Sequence, residues 1–147
     1  LAEVPRIVVA APALLQQYPP INQVAQLGDL PWLALTSFYR NEIALQHKDK
    51  GEPMNLPIVP LLSSDSLFAV RKAALAGLGT AILSTWVIQE DLAQGNLIQL
   101  MPEWQAPPLP VWLTYPWASY YPARLTAFFA MIKAVFPHLT GARPASG

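Results

Sequence analysis

Ser63-Ser64-Asp65-Ser66-Leu67-Phe68-Ala69-Val70-Arg71-Lys72-Ala73-Ala74-Leu75-Ala76-Gly77-Leu78-Gly79-Thr80-Ala81-Ile82-Leu83-Ser84 reads as a polar cap, an amphipathic helix, a glycine stop and a buried strand. Ser63, Ser64, Asp65 and Ser66 crowd the predicted helix start. Ser64 or Asp65 can accept a hydrogen bond from a free backbone N–H of the first turn. Leu67, Val70, Ala74 and Leu75 approximate one apolar face. Gly77 can take the left-handed conformation that ends a helix, and Gly79 permits a tight turn into Ala81-Ile82-Leu83. A helix start with open N–H groups and hydroxyls suits a carboxylate or other anion. Ordinary helix capping accounts for the same residues.

Upstream, Arg6-Ile7-Val8-Val9-Ala10-Ala11 is a continuous apolar run with β-branched residues, the pattern of a buried, parallel strand. Pro12 opens a helix that Pro19-Pro20 stops, and Asn22 is placed to cap a short turn ending at Gly28. Trp32-Leu33-Ala34-Leu35 is a second apolar run that ends in Thr36, Ser37 and Phe38. Ile43, Leu45 and His47 alternate as on a half-exposed strand, and Lys48-Asp49-Lys50-Gly51-Glu52 reads as a hairpin tip. Pro57 and Pro60 place the extended stretch from Leu56 to Leu62 at a sheet edge.

Downstream, Ser84 is placed to cap a helix through Ala93, on which Glu90 and Asp91 read as solvated. Asn96 to Leu100 is a strand, Pro102 to Pro110 a proline-rich connection, and Val111-Trp112-Leu113-Thr114-Tyr115 a further strand. Pro122 opens a last helix whose broad apolar face carries Leu125, Phe128, Phe129, Ile132, Val135 and Phe136. Residues 140–147 read as a small-residue, disordered tail. Strands alternating with helices predict an α/β fold with a mainly parallel sheet flanked by helices.

The 147 residues amount to one domain, or one domain and a piece of another. Hydrophobic residues make up 53% and charged residues 12%, enough to build a core and too little charge for a disordered chain. Nine Lys+Arg balance nine Asp+Glu, so there is no basic footprint for nucleic acid. The absence of cysteine excludes disulfides and thiolate zinc sites and permits a reducing compartment. No apolar run reaches membrane-spanning length. Leu1 to Arg6 shows neither an initiator Met nor a signal-peptide pattern, so the chain reads as cut from something longer.

No catalytic constellation is visible, and an enzyme is not expected. His47 and His138 have no partners at metal-ligand spacing, so no metal and no cofactor is implied. Ser84 lacks the flanking glycines of a nucleophile elbow. Ala76-Gly77-Leu78-Gly79-Thr80 looks like half a dinucleotide fingerprint, but it follows a helix rather than a strand. Trp32, Trp86, Trp104, Trp112 and Trp117 could stack on a ligand, although packing is the commoner use of such residues.

The order of motifs resembles the effector-binding domain of LysR-type transcriptional regulators. The resemblance is carried by Arg6 to Leu15, by Ser64 to Leu83, and by Glu90-Asp91-Leu92-Ala93-Gln94-Gly95-Asn96-Leu97-Ile98. It continues in Leu109 to Pro116, Arg124-Leu125 and Phe128-Phe129, and spans about residues 6 to 136. It implies two α/β lobes of periplasmic-binding-protein type II, with residues 11–108 as the second lobe and the other lobe largely missing. Residues 6–10 and 110–115 would be crossing strands, and residues 122–136 a C-terminal helix returning to the first lobe. Ser84 departs from the family, which often has proline there.

The resemblance further implies a cytoplasmic ligand-sensing domain that is not an enzyme. It would bind a small, often carboxylated effector and act as a homo-oligomer, in the first instance a dimer. DNA would be reached only through an N-terminal helix-turn-helix absent from this chain, with no membrane partner. Ligands of open α/β sheets bind beyond the carboxyl ends of strands. The candidate effector contacts are therefore Thr36, Ser37, Ser63 and Ser64, with Phe38 and Leu62 as apolar walls. An extracytoplasmic solute-binding protein of the same fold is the alternative reading.

Overall fold

A computed structural model describes residues 1–139 and 141–145. Strand β1 (Ala2–Ala10) runs through the middle of the largest sheet, and Ile7 to Ala11 are buried. Pro12 starts the short helix α1 (Pro12–Leu15). A 3-10 turn over Val24–Asp29 follows, and Gln26 rather than Asn22 closes its start. The Gln26 Oε1 accepts the backbone N–H groups of Asn22 at 2.6 Å and Gln23 at 2.9 Å. Strand β2 (Trp32–Leu35) is wholly buried, and the Trp32 indole donates to the Leu27 carbonyl at 2.7 Å. Strands β3 (Glu42–His47) and β4 (Pro53–Pro57) form the expected hairpin, with Ile43 and Leu45 inward. The stretch with two prolines divides into β4 and β5 (Pro60–Ser64), and each ends a sheet.

Helix α2 (Leu67–Leu75) buries Val70, Ala73 and Ala74. Its cap is Ser66, whose hydroxyl accepts the Ala69 N–H at 3.3 Å; neither Ser64 nor Asp65 does this. The other end closes as the glycine rule predicts. Gly77 has φ +77°, its N–H reaches the Ala74 carbonyl at 3.0 Å, and the Leu78 N–H reaches that of Ala73 at 3.1 Å. Gly79 then lets the chain press on β2, since a Cβ there would lie 2.9 Å from the Leu33 Cγ. Strand β6 (Ala81–Ser84) leads directly into helix α3 (Thr85–Ala93); Ser84 holds the cap position without a side-chain cap bond. Asp91, expected to be solvated, is buried. It takes the Arg71 Nε at 2.8 Å and Nη2 at 3.0 Å, which ties α3 to α2.

Strand β7 (Ile98–Gln99) is short, and β8 is Trp104–Val111, earlier than the expected strand at 111–115. Residues 112–121 carry no helix or strand. The prolines that argued against a strand are tolerated because β3 pairs with β8 only at Trp104 and Gln105. Beyond that point one edge of β8 is open, where a missing N–H costs little. Helix α4 (Ala123–Val135) has no buried residue.

The strand order is β4-β3-β8-β1-β6, with β7 also beside β1. All of these pairs are antiparallel, which corrects the mainly parallel expectation. The α/β class stands. Parallel pairing is confined to β2 with β5 and to a single bridge from Trp32 to Thr80 that joins β2 to β6. Parallel neighbours need a long crossover connection, which residues 36–59 supply between β2 and β5. The β3–β4 hairpin lacks one, and β1 and β8 pass each other in opposite directions. The tail also departs from expectation. Glu3 and Arg143 exchange two backbone hydrogen bonds of 2.9 Å, their side chains pair at 3.2 Å, and Thr85 donates to the Gly141 carbonyl at 2.8 Å. Of the residues expected to be disordered, Thr140, Ser146 and Gly147 lie outside the described residues.

Candidate functional site

The parallel pairing of β2 and β5 brings the sequence-predicted residues together. Ala34 lies beside Ser63 and Leu35 beside Ser64, so the two strands end level. The Thr36 N–H continues the ladder to the Ser64 carbonyl at 2.9 Å. After β2 the chain turns sharply, with the Phe38 and Tyr39 N–H groups both directed to the Leu35 carbonyl. After β5 the Ser64 hydroxyl accepts the Ser66 N–H at 3.1 Å and shapes the turn into α2. Ser37, Phe38, Leu62 and Ser63 are exposed, and Thr36 and Ser64 are partly so. The result is an open shelf of hydroxyls at the carboxyl ends of two strands, with Phe38 and Leu62 as its apolar parts. The one carboxylate in these two loops, Asp65, is exposed.

Two residues that the sequence did not single out complete the shelf. Tyr39 is buried. Its hydroxyl donates to the Leu33 carbonyl at 2.6 Å and accepts the Ile82 N–H at 3.1 Å, which fixes the turn that presents Phe38. Burial, partly offset by the N–H groups of Ile82 and of the Leu35 turn and by the charge of Arg6, pushes the phenol up to about 12. Arg6, on β1, is only 9% exposed, and its guanidinium carbon lies 4.5 Å from the centre of the Phe38 ring. Its Nη1 donates to the Pro107 carbonyl at 3.4 Å. Desolvation lowers its pKa, opposed by the nearby Tyr39. The ion pairs among the described residues are Arg71–Asp91 and Arg143–Glu3, and neither involves Arg6. The available signal was a lone cation opening an apolar strand, with no acid in the same run.

A groove of about 620 Å3 lies elsewhere, between the β3–β4 hairpin, β8 and the tail, and contains none of these residues. His47 belongs to that region. Its Nδ1 accepts the N–H groups of Asp49 and Lys50, which shape the hairpin tip. Of the tryptophans, Trp32 is buried, whereas Trp112 and Trp117, on the segment before α4, are largely exposed.

A mixed α/β fold and a polar shelf at strand ends define a small-molecule-binding class of domain rather than a nucleic-acid reader. Residues 1–137 match the LysR substrate binding domain family, and the chain belongs to that family. It is 27% identical over 141 residues to the HTH-type transcriptional regulator PtxR of Pseudomonas aeruginosa, covering 90% of this chain and 42% of that protein. It is 30% identical over 110 residues to the HTH-type transcriptional regulator DmlR of Escherichia coli, covering 75% of this chain and 36% of that protein. The regulatory domain of AphB in Vibrio vulnificus superposes with a TM-score of 0.65 at 27% identity, over 73% of this chain and 53% of that one. The fold class is therefore that of LysR regulatory domains, which are periplasmic-binding-protein type II-like, and the family's role is transcription regulation. The solute-binding alternative is not favoured. The chain spans less than half the length of these curated relatives.

Proposed function

We propose that this chain supplies one wall of an effector-binding cleft, with Thr36, Ser37, Ser63 and Ser64 as hydrogen-bonding contacts and Phe38 and Leu62 as apolar ones. In this reading residues 11–108 form one regulatory lobe. Residues 6–10 and 110–115 lead to and from the remainder of the regulatory domain, and residues 122–136 pack on it. The effector is a small, carboxylated molecule, and no catalysis is involved. An effector acts only through unequal affinity for two arrangements of lobes or subunits. The whole protein is then a cytoplasmic homo-oligomer that reaches DNA through a helix-turn-helix outside this segment. The observation that supports the reading best is the level ending of β2 and β5, which sets Ser63 and Ser64 at the end of β5 beside the Thr36-Ser37 turn that follows β2. A thermal-unfolding screen against small carboxylic acids and their amides tests it. At least one compound should raise the midpoint in a dose-dependent way, and Thr36→Val with Ser64→Ala should weaken its apparent affinity about tenfold, the equivalent of about one lost hydrogen bond. A response that the double variant leaves intact would remove the hydroxyls from the site.

A further inference from the structure

We infer that Arg6 is the anion-recognising residue of this cleft and that Phe38 is its cover. The inference rests on the proposed effector site and adds the group that selects ligand charge. A guanidinium is among the side chains least often buried without a carboxylate partner. Arg6 is 91% buried, yet none of the ion pairs among the described residues involves it. What it has is one carbonyl, that of Pro107 at 3.4 Å, and one face of the Phe38 ring at 4.5 Å. Only one Arg6 nitrogen has a protein hydrogen bond, and the unpaired nitrogens keep contact with solvent, so the open edge of the planar fork is free to match a carboxylate bidentately.

The placement of the cover supports the same assignment. Phe38 is 49% exposed, follows the hydroxyl pair Thr36-Ser37, and is held by the Tyr39 anchor next to it. A ring lying over a cation shields it from water by a cation–π contact. Rotation of that ring away from the guanidinium would open Arg6 to the shelf. A ligand with a carboxylate and a short apolar body would then exchange the ring for a full negative charge. The neutral amide of the same shape would gain little, because it offers no charge to a desolvated cation.

The test compares the wild-type chain with Arg6→Met and Arg6→Lys in thermal unfolding. The probes are acetate, succinate and benzoate, each set against acetamide, succinamide or benzamide. In the wild type at least one carboxylate should stabilise, and its amide should do so at least tenfold more weakly. Arg6→Met should unfold at a higher temperature than wild type without ligand, because a buried cation lacking a counter-charge is replaced by an apolar chain of similar length. It should also lose the carboxylate response. Arg6→Lys, which keeps the charge but not the fork, should respond more weakly than wild type. A structural role for Arg6 predicts the opposite: Arg6→Met unfolds at a lower temperature and keeps the wild-type response. That result would overturn the assignment, as would a wild type indifferent to all three carboxylates. If Thr36→Val with Ser64→Ala abolishes a response that Arg6→Met keeps, Arg6 is excluded and the hydroxyl site stands. If Arg6→Met abolishes a response that the double variant keeps, Arg6 stands and the hydroxyl assignment falls.

Discussion

Tyr39 holds a seam that backbone hydrogen bonds leave open. Between β2 and β6 the backbone bonds run only from Leu33 and Thr80, at the bridge that joins the two sheets. Further along, the phenol stands between the Leu33 carbonyl and the Ile82 N–H in place of a direct ladder bond. The buried phenol keeps its proton beyond the pH at which the unfolded chain releases it, about 12 against 10. Its contribution is therefore fully present below pH 10 and is lost as pH rises through about 12. The loss is on the order of 2–3 kcal/mol. Denaturant midpoints across that window should fall for the wild type and fall less for Tyr39→Phe. The variant should begin about 1–3 kcal/mol less stable, with two buried backbone groups left unpaired.

Single residues differed in how far they could be read from sequence. Gly77 was legible because a helix needs a left-handed residue at its end, whatever surrounds it. Thr36 was legible as a hydroxyl following an apolar strand, and Ser64 as one preceding the central helix. Asp91 was not, because its partner Arg71 lies 20 residues away on another helix and only packing brings them together. Tyr39 and Arg6 act on Phe38 and the β2–β6 seam through tertiary contacts that no local pattern encodes.

At the scale of elements, apolar periodicity located α2, α3, α4 and the strands β1, β2, β3 and β6. It did not give strand direction, which depends on how the connections run. It also placed the strand at 111–115 rather than at Trp104–Val111, because proline was weighed against an edge that proved to be open. Helix α4 leads to a prediction of its own. Phe128, Met131 and Val135 are about half exposed, while Phe129 stacks on Tyr115 with ring centres 4.5 Å apart. Soluble monomers seldom leave such a face in water. The chain carries no net charge, so two copies do not repel each other. Light scattering over a concentration series should show this segment self-associating, and Phe128→Asp with Met131→Asp should return it to monomer. A wild-type monomer at every concentration would contradict the prediction.

For the whole molecule, β1 and β8 form the frame, and the chain between them closes on itself through β6 and β7. At the far edge of this frame, β2 and β5 direct their carboxyl ends, and the loops that follow, toward one shelf. The α/β class was legible because helices and strands alternate along the chain, and the proposed shelf was chosen because strand ends in such folds are where ligands bind. A small carboxylated molecule bound at this shelf would perturb the backbone of both strand ends. The most direct measurement is backbone-amide chemical-shift mapping during titration with the carboxylate that most stabilises the wild-type chain. Binding at the shelf should give the largest shifts at Thr36, Ser37, Phe38, Ser63 and Ser64, together with the Arg6 side chain. Shifts confined to the groove at Gln46, Lys48 and Arg143, with the two loops unmoved, would contradict it.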